Sequence, residues 1–170
     1  IYPIDYTKDI TGLYWYYFLP IPLVGPSILN VFFHYNTAFF LFYLSFYVLM
    51  IMSLFILLKN ITNEVTAAII SIFFLLSPLS NMIFSIGGNY HFLIGLVFFF
   101  LALNFLYLYV KDNEKKYLVY FIVASILLGF TYAFTTFFLF SFAGLYCIIN
   151  KKYKLLKYII LAALTLSIYY

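Results

Sequence analysis

The side chains that could do chemistry in this chain are few, and two of them are carboxylates near its start. Asp5 and Asp9 are four residues apart, a spacing that places both on one face if the segment is helical, although Pro3 argues against a helix at its beginning. Such a pair could take a proton from an acceptor group, and a divalent metal, if one is used, would be held by Asp5 or Asp9. The alternative interpretation is two solvated loop carboxylates beside Lys8.

Two histidines and an asparagine are the other candidates for binding a polar ligand. His34 could contact a phosphate, and Asn89 and His91 follow a glycine pair where a polar cluster at a helix end could contact a substrate. Each is also explained by simple solvation at the end of a helix. The histidines and the early aspartates show no recognised metal-ligand spacing.

An aromatic run lies between the carboxylates and the first apolar stretch. Trp15 and Tyr16 stand at its centre, within residues 14 to 17, and their rings have apolar bodies and polar tips suited to the headgroup level of a bilayer or to stacking on a ligand. We expect residues 10 to 19 to form a short helix lying in the interface.

Three prolines follow this segment. Pro20, Pro22 and Pro26 are expected to prevent a helix from continuing into the membrane, because proline lacks a backbone N–H and clashes with the preceding turn. Residues 27 to 34 could then resume as a second interfacial turn. Residues 1 to 37 are therefore predicted to form an exoplasmic aromatic and acidic loop.

Composition indicates an integral membrane protein. Hydrophobic residues make up 67% of the chain, aromatic residues 25% and charged residues only 8%, which is far from the balance of a soluble domain. The chain starts without methionine and stops within an apolar run, so we expect a fragment of a longer polypeptide. The predicted fold class is all-α: a polytopic membrane helix bundle with an exoplasmic interfacial helical loop.

The net charge of +4 does not indicate nucleic-acid binding. The chain has no arginine, and its lysines fall in short clusters between apolar segments, a pattern that marks membrane topology. We therefore expect the lipid bilayer as a partner and no nucleic acid. The single Cys147 can form no internal disulfide.

Apolar runs long enough to cross a bilayer give six predicted membrane segments, at about residues 38–58, 65–84, 91–110, 117–131, 135–150 and 158–170. The lysine-rich turns at residues 59–64, 111–116 and 151–157 are predicted to be cytoplasmic, which makes the N-terminal segment exoplasmic.

Residues 117 to 150 carry no charge and would be about 50 Å long as a single helix, too long for one ordinary crossing. Lysines precede and follow this stretch, so the chain must cross the membrane and return. The predicted break lies at Thr131 to Thr136, after Gly129.

The order of these features resembles the membrane half of the GT-C glycosyltransferases, including the protein mannosyltransferase and aminoarabinose transferase branches. That family has an acidic residue in its first exoplasmic loop, a proline-rich element, a helix ending near Ser-Pro and a later short helical pair. The corresponding pieces here are Asp5 and Asp9, LPIPL at 19–23, LLKNITNEVTAAI at 57–69, LLSPL at 75–79 and ILLGFTYAFTTFFL at 126–139.

The resemblance implies transfer of a sugar from a polyprenyl-phosphate donor to an acceptor at the exoplasmic face, with Asp5 as the first candidate for the family's loop acid and Asp9 as the second. The chain departs from the family pattern in three respects. Thr131 to Thr136 offers only hydroxyl groups where a basic residue often occupies the short-helix break. Asn89, Tyr90 and His91 stand where a further acidic residue is common, and no arginine is present to hold the donor phosphate.

A different class of function is a non-catalytic polytopic subunit or scaffold of a larger membrane complex, with other membrane subunits as partners. The spans contain essentially no ionisable residues, which favours this alternative and argues against a proton pump or an ion-coupled transporter. Chemistry at the membrane surface does not need such residues. The Asn60-Ile61-Thr62 sequon lies in a predicted cytoplasmic turn and is expected to be unmodified.

Overall fold

The computed structural model describes residues 20–77, 90–131 and 133–169, and all regular structure in these ranges is α-helical. The predicted all-α class is confirmed for this part of the chain. The helices are α1 (Pro20–Leu29), α2 (Tyr35–Ile61), α3 (Glu64–Leu76), α4 (Tyr90–Asp112), α5 (Lys115–Gly129), α6 (Ala133–Ile149) and α7 (Tyr153–Tyr169).

Within the described ranges, two helices are long and apolar enough to cross a membrane. They are Tyr35–Ile61 and Phe92–Asp112. At 1.5 Å per residue α2 is about 40 Å long, against about 30 Å for the hydrocarbon layer of a bilayer. Both helices extend beyond the predicted segments at 38–58 and 91–110, so the membrane class is supported for these two helices.

All three prolines lie within helix α1, and residues 10 to 19, from which a helix was expected not to continue, lie outside the described residues. Pro20 and Pro22 lie in the first turn of α1, where backbone N–H groups have no partner within the helix, so proline is tolerated there. Pro26 lies inside the helix and removes one hydrogen bond. The chain then turns at residues 30 to 34 and enters α2.

Helices α2 and α4 pack against each other and run in the same direction. Tyr43 and Met50 of α2 share a buried cluster with the first turns of α4, including Ile94. Farther along both helices, Asn60 is hydrogen-bonded to Asn104. The register of the two contacts shows that α2 residues lie level with α4 residues about 44 to 50 positions later.

A second buried cluster joins α4 to the three helices that follow it. Its members are apolar and include small side chains that allow close helix approach. They are Ala102, Leu106, Phe121, Ala124, Leu128, Leu139, Ala143, Cys147, Leu155 and Ile159.

The charge-free stretch is divided into two helices, as its length required. Helix α5 ends at Gly129 and α6 begins at Ala133, so the break is shorter than expected, and Thr135 and Thr136 lie within α6. Helix α7 begins at Tyr153, five residues before the expected segment. The part of the expected second segment that follows Ser77 lies outside the described residues.

The three lysine-bearing turns lie at one end of the helices. Helices α2 and α4 run in parallel, which places the turn after α2 and the turn after α4 at the same end. Helices α5 and α6 then run away from this end and back, because each follows its predecessor through a short connection. The turn between α6 and α7 therefore joins the other two.

Candidate functional site

Most of the residues predicted to form a site fall outside the described part of the chain. This holds for Asp5, Asp9, Trp15, Tyr16 and Asn89. The backbone of His91 belongs to the first turn of α4, and His34 is described in full. The structure therefore shows only the elements next to the predicted site, which begin at Pro20 and at Tyr90.

Helix α1 is the element that follows the N-terminal segment in the sequence. Gly25 lies against Phe42 so closely that a Cβ atom at position 25 would overlap the aromatic ring. Because only residues 30 to 34 separate the two helices, this contact makes α1 antiparallel to α2. Pro20 then lies toward the middle of α2, and α1 also contacts α4. The first residue of α1 thus lies on the side of the bundle where α4 begins.

His34 lies at the other end of α1. It immediately precedes α2 in an extended conformation, and its carbonyl oxygen accepts a 2.9 Å hydrogen bond from the backbone N–H of Ala38. Its side chain is exposed and makes no capping hydrogen bond to the helix. From the register of α2 and α4, His34 lies about 13 residues, or roughly 20 Å, beyond the level of His91. The structure does not bring the two histidines to one level.

The hydroxyl groups near the α5–α6 break serve the helix backbone. Ser125 Oγ donates to the carbonyl oxygen of Phe121 at 2.8 Å, and Thr131 Oγ1 donates to that of Leu127. Both side chains are buried. Such bonds satisfy a polar group inside an apolar bundle. These two hydroxyl groups therefore stabilise the helix backbone, and neither is placed to act as a nucleophile.

Ser71 on α3 differs from these hydroxyls. Its Oγ atom is buried and has no hydrogen-bond partner among the described residues, whereas Ser53 on α2 donates to the carbonyl oxygen of Met50 at 2.8 Å. A hydroxyl without a partner costs free energy relative to a satisfied one.

No group of three or more metal-ligating side chains is found within the described ranges. The residues expected to hold a metal, Asp5 or Asp9, are not in those ranges. Cys147 is buried in the second core cluster as a free thiol, which fits its role as a small apolar side chain.

A polar contact that the sequence interpretation missed joins α2 to α4. Asn60 Nδ2 donates to Asn104 Oδ1 at 2.7 Å, and Asn104 is only 3% exposed. The available signal was a lone asparagine in an otherwise apolar span, since a buried amide needs a partner. The same bond occupies the Asn60 amide nitrogen to which a glycan would be attached, which gives a second reason to expect the sequon to be unmodified.

An apolar groove of about 240 Å³ lies between α4 and α5. Its lining is Phe98, Leu101, Phe105, Tyr120, Val123, Ala124 and Leu127. Only the tyrosine carries a side-chain polar group, so the groove does not offer the several polar contacts that a sugar phosphate requires.

Charge at the lysine end of the bundle is distributed unevenly among the three turns. Lys59 Nζ lies 2.9 Å from Glu64 Oε1, and Lys116 forms an ion pair with Glu114. The hydrogen bond that Lys116 donates to the Glu114 carboxylate raises the pKa of Lys116. The turn between α6 and α7, taken together with the first residues of α7 (residues 151–157), has four lysines and no acidic residue. This turn carries the strongest positive charge in the described part of the chain.

Comparison with known proteins gives no match: no protein-family model, no curated protein and no solved structure matches the chain. The resemblance to the GT-C glycosyltransferases therefore remains a prediction from the sequence.

Proposed function

We propose that this chain is the membrane region of a glycosyltransferase that takes a sugar from a polyprenyl-phosphate donor and transfers it on the exoplasmic side of the bundle, beside the start of α4. The observation that carries the proposal is the placement of α1. Through its contacts with α2 and α4, α1 has its first residue, Pro20, on the side where α4 begins with His91, and the stretch of sequence that carries Asp5 and Asp9 precedes Pro20.

The chemistry assigned to this side follows from the residue types. A carboxylate would take the proton of the acceptor hydroxyl as that oxygen attacks the anomeric carbon, while the bond to the lipid phosphate breaks and the phosphate leaves as an anion. A divalent cation held by Asp5 or Asp9 would stabilise the charge on the leaving phosphate. Asn89, His91 and the aromatic pair Trp15 and Tyr16 are the proposed substrate contacts.

The location of the protein in a membrane is supported by α2 and α4, which are long and apolar enough to span a bilayer. In the proposed topology the lysine turns face the cytoplasm, and the segment with the early aspartates is exoplasmic. Large apolar side chains are also exposed along these and neighbouring helices; Phe73, for example, is 71% exposed. Lipid contact would cover such surfaces.

A non-catalytic subunit or scaffold is the second candidate. It is favoured by the use of described polar groups for packing, as in the Asn60–Asn104 bond and the hydroxyl of Ser125. In this case the exposed apolar faces would contact other membrane subunits as well as lipid.

The test is turnover of polyprenyl-phosphate sugars by the protein in nanodiscs. Asp5→Asn or Asp9→Asn should reduce sugar transfer about a hundredfold or more, the range for loss of a general base. Asp112→Asn is the matched control, because it makes the same change at an exposed site on the lysine end. Absence of turnover with several sugars, or an equal loss in the control, would overturn the enzyme proposal in favour of the scaffold.

A further inference from the structure

The turn between α6 and α7 differs from the other lysine turns in its charge balance. Lys151 and Lys152 lie in the turn itself, and Lys154 and Lys157 lie at the start of α7 and are counted with it here. No acidic residue occurs anywhere between residues 117 and 170, and none of these lysines forms an ion pair with a described residue. The positive charge of these four lysines is therefore not neutralised by a described acidic side chain, and an anionic partner could neutralise it.

The packing of α7 fixes the direction in which two of these lysines point. Leu155 and Ile159 are each 3% exposed and belong to the second core cluster. Lys154 and Lys157, one helical turn apart, are exposed. They form a pair of ammonium groups on the outer surface of α7, directed away from the bundle.

Along the exposed surface of α7 the side chains change from charged to aromatic to aliphatic, which is the order of polarity across a bilayer interface. Lys154 and Lys157 are followed by Tyr158, which is 56% exposed, and then by Ile160, which is 52% exposed. From Lys154 to Ile160 the rise is about 9 Å. This order of charge, aromatic ring and hydrocarbon matches the headgroup, the interface and the acyl region of one leaflet.

The end of α6 adds an apolar contribution beside the lysines. Ile149 is 76% exposed and Tyr153 is 59% exposed, so an apolar side chain and an aromatic ring flank the basic turn. Lys151 stands between them in a left-handed conformation with φ of 55°, which ends α6 and lets α7 begin at Tyr153. The N-terminus of α7 carries a partial positive charge that adds to that of the lysines.

We propose that the α6–α7 turn binds the phosphate headgroup of an anionic phospholipid, with Lys154 and Lys157 as the main contacts and Lys151 and Lys152 as supporting charges. The proposal rests on the bilayer location given under Proposed function and is independent of sugar transfer. Loss of transferase activity would therefore leave lipid binding unchanged, and loss of lipid selectivity would leave the transferase proposal standing.

The experiment measures lipid binding to the detergent-solubilised protein by native mass spectrometry. Dioleoylphosphatidylglycerol and dioleoylphosphatidylcholine are titrated separately, because they share acyl chains and differ in net charge. The variant Lys154→Gln/Lys157→Gln is compared with Lys111→Gln/Lys115→Gln. Both pairs are exposed and remove two charges, but the control pair belongs to the turn that also contains Asp112 and Glu114.

We expect the anionic lipid to bind at least tenfold more tightly than the zwitterionic lipid. Each lysine near an anionic surface contributes about fivefold, so the Lys154/Lys157 variant should lose about thirtyfold in affinity for phosphatidylglycerol. The control should lose less than fivefold.

Three results would overturn the proposal. They are equal affinity for the two lipids, equal losses in the two variants, and displacement of the lipid by millimolar inorganic phosphate, which would identify a soluble anion as the occupant. Circular dichroism of both variants provides the folding check, and a decrease in affinity for phosphatidylglycerol between low and high salt is the expected electrostatic signature.

Discussion

Asn60 at the end of α2 donates a 2.7 Å hydrogen bond to Asn104, which is buried in the middle of α4. This bond fixes the register of the two helices that are long and apolar enough to span a membrane. The end of α2 at Lys59 is thereby set beside the later half of α4, and the lysine turns gather at one end.

The first prediction concerns this bond. Asn104→Leu should destabilise the protein by about 1 kcal/mol, because it leaves the half-buried amide of Asn60 without its partner. Asn60→Leu should cost a similar amount, and the double variant should cost less than the sum. Unfolding in mixed detergent micelles measures the three values, and a coupling energy near zero would show that the bond does not hold the two helices in register.

The second prediction concerns the close approach of α1 to α2. Gly25→Ala should destabilise the protein by about 1 to 3 kcal/mol, because the new Cβ atom meets the Phe42 ring and forces it to move. Gly144→Ala is the matched control, since its nearest non-local atom would be 3.9 Å away. The control should be neutral or stabilising by up to about 1 kcal/mol from helix propensity.

Combining Gly25→Ala with Phe42→Leu tests the same contact from the other side. A smaller side chain at position 42 should recover part of the lost stability. Equal thermal stability of Gly25→Ala and Gly144→Ala would contradict the placement of α1, and with it the position assigned to Pro20.

The third prediction concerns the end of α6. Lys151 adopts a positive φ of 55°, a conformation that costs a non-glycine residue about 1 to 2 kcal/mol. Lys151→Gly should therefore stabilise the protein by about 1 kcal/mol. Lys152→Gly removes the same charge at a position without positive φ and should not stabilise. A lower melting temperature for Lys151→Gly than for Lys152→Gly would be the opposite of this expectation.

The fourth prediction concerns the start of α3. Asn63 caps this helix, with its Oδ1 atom accepting a 2.9 Å hydrogen bond from the backbone N–H of Thr66. Asn63→Ala should cost about 1 kcal/mol of stability, and Asn63→Ser should retain most of it because serine is also a good cap. Thermal unfolding of the two variants measures the difference, and identical melting temperatures would show that the cap contributes nothing.

The all-helical class and the approximate ends of the described helices were predictable because apolar runs and lysine clusters are direct signals of helices and their ends. The division of residues 117 to 150 followed from a length that one crossing cannot accommodate, and Gly129 marked the point. The helix formed by α1 was not predicted, since two of its prolines occupy a first turn where their missing N–H groups cost nothing. That tolerance depends on where a helix starts, which composition does not specify.

The contacts between helices were not predictable in the same way. Asn60 and Asn104 are 44 positions apart, and a single sequence carries no signal that pairs them. The site is a similar case, because its proposed residues come from separate segments whose approach depends on packing. The sequence did indicate that most lysines lie on one side of the membrane. The catalytic site is proposed on the other side for this reason.

The most direct test of the account is the side of the membrane on which each end of the bundle lies. In a Cys147→Ala background, single cysteines are placed at Tyr35, Asn113 and Asn150, all exposed, and cells are treated with a membrane-impermeant maleimide. We predict labelling of Tyr35→Cys in intact cells, and labelling of Asn113→Cys and Asn150→Cys only after permeabilisation. Labelling of all three positions to the same extent in intact cells, or protection of Tyr35→Cys alone, would contradict the proposed topology.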